Sequence, residues 1–216
     1  MRNALCFAAL AWAGCGAAQA ATPVQLSLPG VNLPASEQVT GVRLDLLYGK
    51  TQQVKGLDLP LFALSDTNDF TGLQLGLGLG AGRVRNHFKG IAVTLFNWHE
   101  GQDVGGNLGF VNYTRSVSGV NLGGIANVTG DVYGLNVAGL VNYTGGVRGL
   151  NFAPVNVSRG KALASIGFVN YADSATFQLG FFNATQHLEG IQIGLGNYAP
   201  NGILPVMPLV NFSKSF

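Results

Sequence analysis

The sequence predicts an all-β chain assembled from a short repeat, on three observations. Nine asparagines recur down its second half, each closing an apolar run: Asn97, Asn112, Asn127, Asn142, Asn156, Asn170, Asn183, Asn197 and Asn211. A fixed period marks a repeat architecture. Within a unit such as Gly190-Ile-Gln-Ile-Gly-Leu, residues Ile191, Ile193 and Leu195 alternate with Gln192 and Gly194. Period two places one apolar face and one polar or small face on an extended segment. The third observation is that no stretch carries a helical period.

Residues 1–20 have a different character and read as a secretory signal. Arg2 gives the positive start, Ala4 to Ala13 form an apolar run, and Ala18-Gln19-Ala20 offers a small-x-small cleavage site. The run is shorter than the roughly 20 residues that span a bilayer as a helix. The mature chain is expected to begin at Ala21. Ala13-Gly14 before Cys15 leaves a lipoprotein alternative, which Trp12 fits poorly. Cys6 and Cys15 both fall in this segment, so a mature chain would hold no disulfide and no thiol.

Residues 21–38 read as an extended lead-in marked by Pro23, Pro29 and Pro34. Residues 39–216 form the repeat β-domain. Its units open at Gly41, Gly56, Gly72, Gly90, Gly106, Gly119, Gly134, Gly149, Ala164, Thr176, Gly190 and Ile203. That makes about twelve units spaced by about 13 to 18 residues. Each offers about ten strand-like residues and a turn of about three to five, as tight hairpins do. The third position carries a polar row: Arg43, Asp58, Gln74, Asn107, Asn121, Asn136, Asn151, Ser165, Gln178 and Gln192, broken by Ala92 and Pro205. The next position is apolar throughout, from Leu44 to Val206. The pairs Gly123-Gly124 and Ala138-Gly139 lengthen their units by one residue and read as β-bulges.

Composition narrows the class. The formal net charge is +2 and charged residues make up 10% of the chain. No basic cluster of the kind a nucleic-acid binder shows is present. An apolar share of 47% is too high for a disordered chain.

Two architectures fit one strand and one turn per unit. The leading expectation is an antiparallel meander closed as an outer-membrane-type β-barrel of about twelve strands. Strands of about ten residues cross a bilayer at a tilt. Aromatic residues at strand ends, such as Trp98, Tyr113 and Tyr143, suit interfacial girdles. The terminal Phe216 resembles the assembly signal of bacterial outer-membrane barrels. The alternative is a β-solenoid with one repeat per coil, in which the asparagine row stacks as a ladder. Both arrangements are expected to bury the apolar row, against lipid or in an interior.

The units Gly72-Leu-Gln-Leu-Gly-Leu, Gln178-Leu-Gly-Phe-Phe-Asn183 and Gly190-Ile-Gln-Ile-Gly-Leu-Gly-Asn197 resemble the bacterial surface-repeat family, whose units read G-hydrophobic-Q-hydrophobic-G-hydrophobic-x-N. Gly80-Ala-Gly-Arg-Val84 and Asn97-Trp-His-Glu-Gly101 resemble a Vibrio-type branch of it. The resemblance covers nearly all of the mature chain. It implies a bacterial surface location and a repeat fold, and no catalytic residues.

Candidate chemistry is sparse. Arg43, Asp45 and Asp58 are the charges well inside strands; they are expected to pair on the polar face, with a pore constriction as the functional alternative. Trp98-His99-Glu100 reads as a solvated turn, since one His-Glu pair is too little for a metal. Gly76 to Gly82 superficially resembles a phosphate loop but has no helix after it. Asn112, Asn127, Asn142, Asn156, Asn183 and Asn211 head N-x-Ser/Thr sequons, which the repeat itself explains, with the hydroxyl as a turn residue. No catalytic, cofactor or metal residues are expected. The expected function is a non-enzymatic outer-membrane or cell-surface protein of a Gram-negative bacterium, structural or permeable to small solutes. Its expected partners are the lipid bilayer and the outer-membrane assembly machinery. The alternative is a secreted β-solenoid acting as an adhesive or binding surface.

Overall fold

Successive repeats lie side by side in parallel. The structure, a computed structural model, describes residues 20–62 and 64–214. Residues 1–19 with Cys6 and Cys15, where a signal was expected, and the terminal Phe216 lie outside the described residues. The strands are β1 (Thr22–Leu28), β2 (Val31–Leu33), β3 (Gln38–Asp45), β4 (Tyr48–Pro60), β5 (Leu64–Leu75) and β6 (Ala81–Val93). There follow β7 (Phe96–Ala138), β8 (Val141–Phe152), β9 (Val155–Ile166), β10 (Val169–Leu179), β11 (Phe182–Tyr198) and β12 (Val206–Phe212). The long β7 winds past Asn97, Asn112 and Asn127 in turn.

Equivalent residues of neighbouring units pair in register. Asn127 meets Asn142 and Asn136 meets Asn151, and the next step joins Asn142 to Asn156. The pairings from β3 through β11 are parallel, and the sheet order runs from β12 to β1 and β2 without closing. A meander would alternate strand direction at every turn. The barrel expectation is therefore corrected to its alternative, a β-solenoid of about 11 turns. The physical reason lies in the repeat. Only a parallel, in-register stack sets each asparagine amide beside the same amide one turn later, where both can bond along the axis.

The second correction concerns polarity. The polar row from Gln25 and Arg43 through Gln178 and Gln192 is inside and fully buried. The apolar row expected to be buried faces outward: Leu135 is 44% exposed and Phe152 48%. A third column lines the interior and was not recognised as core from the sequence. Val39, Val54, Phe70, Phe88, Val117, Val132, Val147, Ala162, Ala175 and Leu188 are all buried, with Asp103 at the corresponding place between Phe88 and Val117. It lies just before the glycine of each unit, where a turn was expected.

Close stacking dictates a glycine at the same place in the turns from Gly41 to Gly149. Gly134 has φ 136°, and a Cβ there would stand 2.1 Å from the carbonyl oxygen of Gly119. Residues 21–38, read as a lead-in, begin the stack itself, since β1 pairs in parallel with β3. Antiparallel strands cover both ends, β2 on β1 and β12 on β11. Short or proline-bearing edge strands blunt the tendency of a sheet edge to recruit another chain. Here β2 has 3 residues, and Pro208 lies within β12.

Candidate functional site

The sequence-derived charge cluster does come together. Arg43, Asp45 and Asp58 are fully buried near the first turns. Arg43 Nε lies 3.1 Å from Asp45 Oδ1, and Nη1 lies 3.9 Å from Asp58 Oδ1. Arg43 also donates to Ser27 Oγ and Ser65 Oγ, while Ser65 and Gln74 donate to Asp58 Oδ2 at 2.5 and 2.8 Å. Burial, then the nearby Asp58 charge, pushes the Asp45 carboxyl up to about 7, with Arg43 opposing. These groups knit the interior of the coil and line no lumen.

The asparagine row forms a bonded ladder. Each Nδ2 from Asn97 to Asn183 donates to the Oδ1 of the next row member, at 2.8 to 3.1 Å. The same amide also donates to a backbone carbonyl of its own coil, such as Val137 for Asn127 and Phe152 for Asn142. Asn211 leaves the row. It sits in antiparallel β12 opposite Gln192 and donates to the Leu204 carbonyl. The sequon hydroxyls are not turn residues. Two positions after each asparagine they point inward, as in the 3.0 Å contact from Thr114 to Thr129.

Trp98-His99-Glu100 is not a solvated turn. Counting from buried Asn97, alternation puts Trp98 outside and His99 inside. His99 is 1% exposed, stacks on Phe88 with centroids 4.6 Å apart, and places Nδ1 2.7 Å from Asp103 Oδ2. Asn107 donates to the same oxygen at 2.7 Å. The Gly76–Gly82 stretch forms a corner of the coil, with Gly76 N bonded to the Val93 carbonyl and Leu77 and Leu79 exposed. Gly123-Gly124 and Ala138-Gly139, read as bulges, also lie at a corner, where Gly139 N donates to Gly123 O. Among the described residues no group of three His, Cys, Asp or Glu is placed to hold a metal ion.

The exterior carries what the interior does not. One corner of the coil is apolar for the length of the stack. Phe62, Phe110, Leu140, Phe168, Phe181 and Leu195 are all more than half exposed. Beside it runs an apolar groove of about 570 Å³, lined by Phe152, Ile166, Leu179 and the tilted Phe168–Phe181 pair. Ion pairs lie away from this corner. Arg85 bonds Asp66 at 2.6 Å, Arg83 bonds Glu100 at 2.6 Å and Lys161 meets Glu189 at 2.5 Å. Burial would raise Asp66, but bonding and charge from Arg85 hold its carboxyl below the usual range. The hydrogen bond from Lys161 holds Glu189 low as well.

An aromatic row follows five of the asparagines, at Trp98, Tyr113, Tyr143, Tyr171 and Tyr198, and continues the column that Asp66 and Arg83 hold in earlier turns. Three guanidinium groups lie over aromatic rings: Arg83 over Trp98 at 4.5 Å, Arg148 over Tyr133 at 5.3 Å and Arg159 over Tyr143 at 5.5 Å. Comparison with protein-family models, with curated proteins and with solved structures gives no significant match, so the geometry alone carries the functional reading.

Proposed function

We propose that this chain is an exported, non-enzymatic surface β-solenoid of a Gram-negative bacterium. It binds through its apolar exterior, and its partner is the lipid surface of the outer membrane. One observation carries the reading: the solenoid buries its polar rows and turns an apolar corner outward along the stack. Contiguous apolar patches beyond a few hundred Å² mark interaction surfaces. The order of side chains around the coil supports lipid as the partner. Beyond the aliphatic and phenylalanine corner comes the column of tyrosine and tryptophan, which Arg83 joins in an earlier turn, and two positions further stand Arg115 and Arg159. A bilayer selects that order from hydrocarbon through interface to headgroups.

Flotation with vesicles of outer-membrane lipid tests this. The purified protein is expected to float with the vesicles. The paired substitution Phe168→Ser and Phe181→Ser should leave it at the bottom of the gradient with an unchanged circular dichroism spectrum. Wild-type protein that stays down, or a double variant that floats equally well, removes lipid as the partner.

A further inference from the structure

The aromatic row has a spacing that apolar adhesion does not use. From Tyr113 onward, tyrosine occupies every second turn: Tyr113, Tyr143, Tyr171 and Tyr198. Val128, Val157 and Ala184 occupy the turns between. The pairings fix this order, with Tyr143 beside Val128 and Val157, and Tyr171 beside Val157 and Ala184. Two turns of a parallel stack advance about 10 Å. A sugar ring lying over the small residue between two tyrosines would stand about 5 Å from each along the axis, close enough for its C–H groups to meet both side chains. The small residues leave room for it. A recess of about 430 Å³ lies over Val128 between Tyr113 and Tyr143, and another of about 360 Å³ lies beside Ala184 between Tyr171 and Tyr198.

Charge distinguishes the two recesses. Arg115 and Arg159 both reach the first, and no carboxylate pairs with either among the described contacts. Glu100 at its edge is already held by Arg83 at 2.6 Å. Its floor is bare backbone at Gly130 and Gly145, where a Cβ would meet the carbonyl of the preceding turn at 2.2 and 2.6 Å. Farther along, Tyr171 donates to Asp173, so the row bears no further positive charge there.

We propose that this row is a track for a linear acidic glycan running along the solenoid axis. Sugar rings lie over the small residues and against the flanking tyrosines, and a uronate carboxylate binds at Arg115 and Arg159. The repeat of platforms every second turn calls for a polymer of regularly spaced rings, and two guanidinium groups without a carboxylate partner call for an acid, which they bond in a fork. Single-stranded nucleic acid also stacks on aromatic platforms. It carries a phosphate at every step, however, and needs a basic groove along its whole length. Two arginines followed by an aspartate do not supply one.

Calorimetric titration of the purified protein tests the track. The probe is a hyaluronan oligosaccharide, which alternates glucuronate with a neutral amino sugar. A chitin oligosaccharide and a thymidine oligonucleotide are run in parallel. Hyaluronan should bind. Tyr143→Ala should weaken it about tenfold or more, near 1.4 kcal/mol. Arg159→Gln should weaken hyaluronan and leave chitin binding unchanged. Val128→Tyr introduces the residue its neighbouring turns already carry, so it should fold and still weaken binding by filling the recess between Tyr113 and Tyr143. Tyr133→Ala, off the row, should change nothing. No hyaluronan binding, tighter binding of the oligonucleotide, or indifference to both Tyr143→Ala and Val128→Tyr overturns the proposal. Lipid flotation is a separate readout, so either proposal can fail alone.

Discussion

The Nδ2 of Asn127 lies 3.0 Å from the Oδ1 of Asn142, one turn along the axis, and donates to the Val137 carbonyl at 2.8 Å. Asn127 is thus a link in an axial chain and a staple of its own coil at once. Both roles need an uncharged group with donors and an acceptor on one short stem. In an apolar interior these amides would be a penalty; bonded to one another they hold the turns in register.

Asn127→Ala should therefore destabilise the fold more than loss of one contact suggests. It removes one of the two acceptors of the Asn112 amide, which keeps the Leu122 carbonyl, and takes a donor from the Asn142 oxygen and from the Val137 carbonyl. Each buried unsatisfied group costs about 1–3 kcal/mol. Hydrogen exchange should show loss of protection centred on the turns of Asn112, Asn127 and Asn142 and spreading to neighbours, since each turn contacts only the next. Loss confined to residue 127 would mean the ladder carries no cooperative stability.

Gln192 and Ile193 should respond in an order opposite to that expected of a greasy row turned inward. Gln192 is fully buried and donates to Gln178 at 2.8 Å, whereas Ile193 is half-buried on the outer face. Ile193→Arg should cost about 1 kcal/mol, near the centre of the range for point substitutions. Gln192→Arg places a charge and excess volume in the coil and should cost several times that. Thermal denaturation of the two variants reads the difference. The reverse ranking would place the apolar face inside.

These residues show how much of the fold was legible. Alternation along Gly190 to Leu195 reveals that Ile193 and Gln192 lie on opposite faces, and the asparagine period reveals the repeat. Neither says which face is inside, because period two is symmetric under that exchange. Strand direction was hidden for a related reason: one coil of a solenoid and one strand with its hairpin turn have the same length. The column from Val39 to Leu188 contributes one apolar residue per unit, too few to stand out from a turn. The burial of His99 was legible by counting from Asn97. The tyrosine row was visible too, but the emptiness of alternate turns has meaning only once turns stack in parallel.

Asp45 predicts a pH dependence of the first turns. Burial raises its carboxyl from the ordinary 3.8 to about 7 in the fold, with Asp58 adding to the rise and Arg43 opposing it. Between those values the folded chain holds a proton that the unfolded chain has released. Its contribution is therefore fully present below about pH 4 and lost as pH rises through about 7. Asp45→Asn should flatten that slope. Denaturation midpoints measured from pH 4 to 8 on both proteins check the sign, and an equal slope in the variant would remove Asp45 as the source.

The pair of His99 and Asp103 yields the last test, because the repeat itself supplies the replacement. At equivalent places neighbouring turns carry Thr114 and Val117, Thr129 and Val132, and Thr144 and Val147. Asp103→Val alone fills the apolar column but takes the acceptor from His99 Nδ1 and Asn107 Nδ2, both buried. It should destabilise by about 2–4 kcal/mol, the loss typical of breaking one side of a buried polar pair. His99→Thr alone leaves the Asp103 carboxylate buried with Asn107 as its remaining donor, and should also destabilise. The double variant matches its neighbours, joins Val117 in the column and removes the buried acid. Its stability should equal or exceed that of the wild type, which gives a strongly favourable coupling in the double-mutant cycle. Additive losses would show that the two side chains act independently, and that His99 owes its burial to stacking on Phe88 alone.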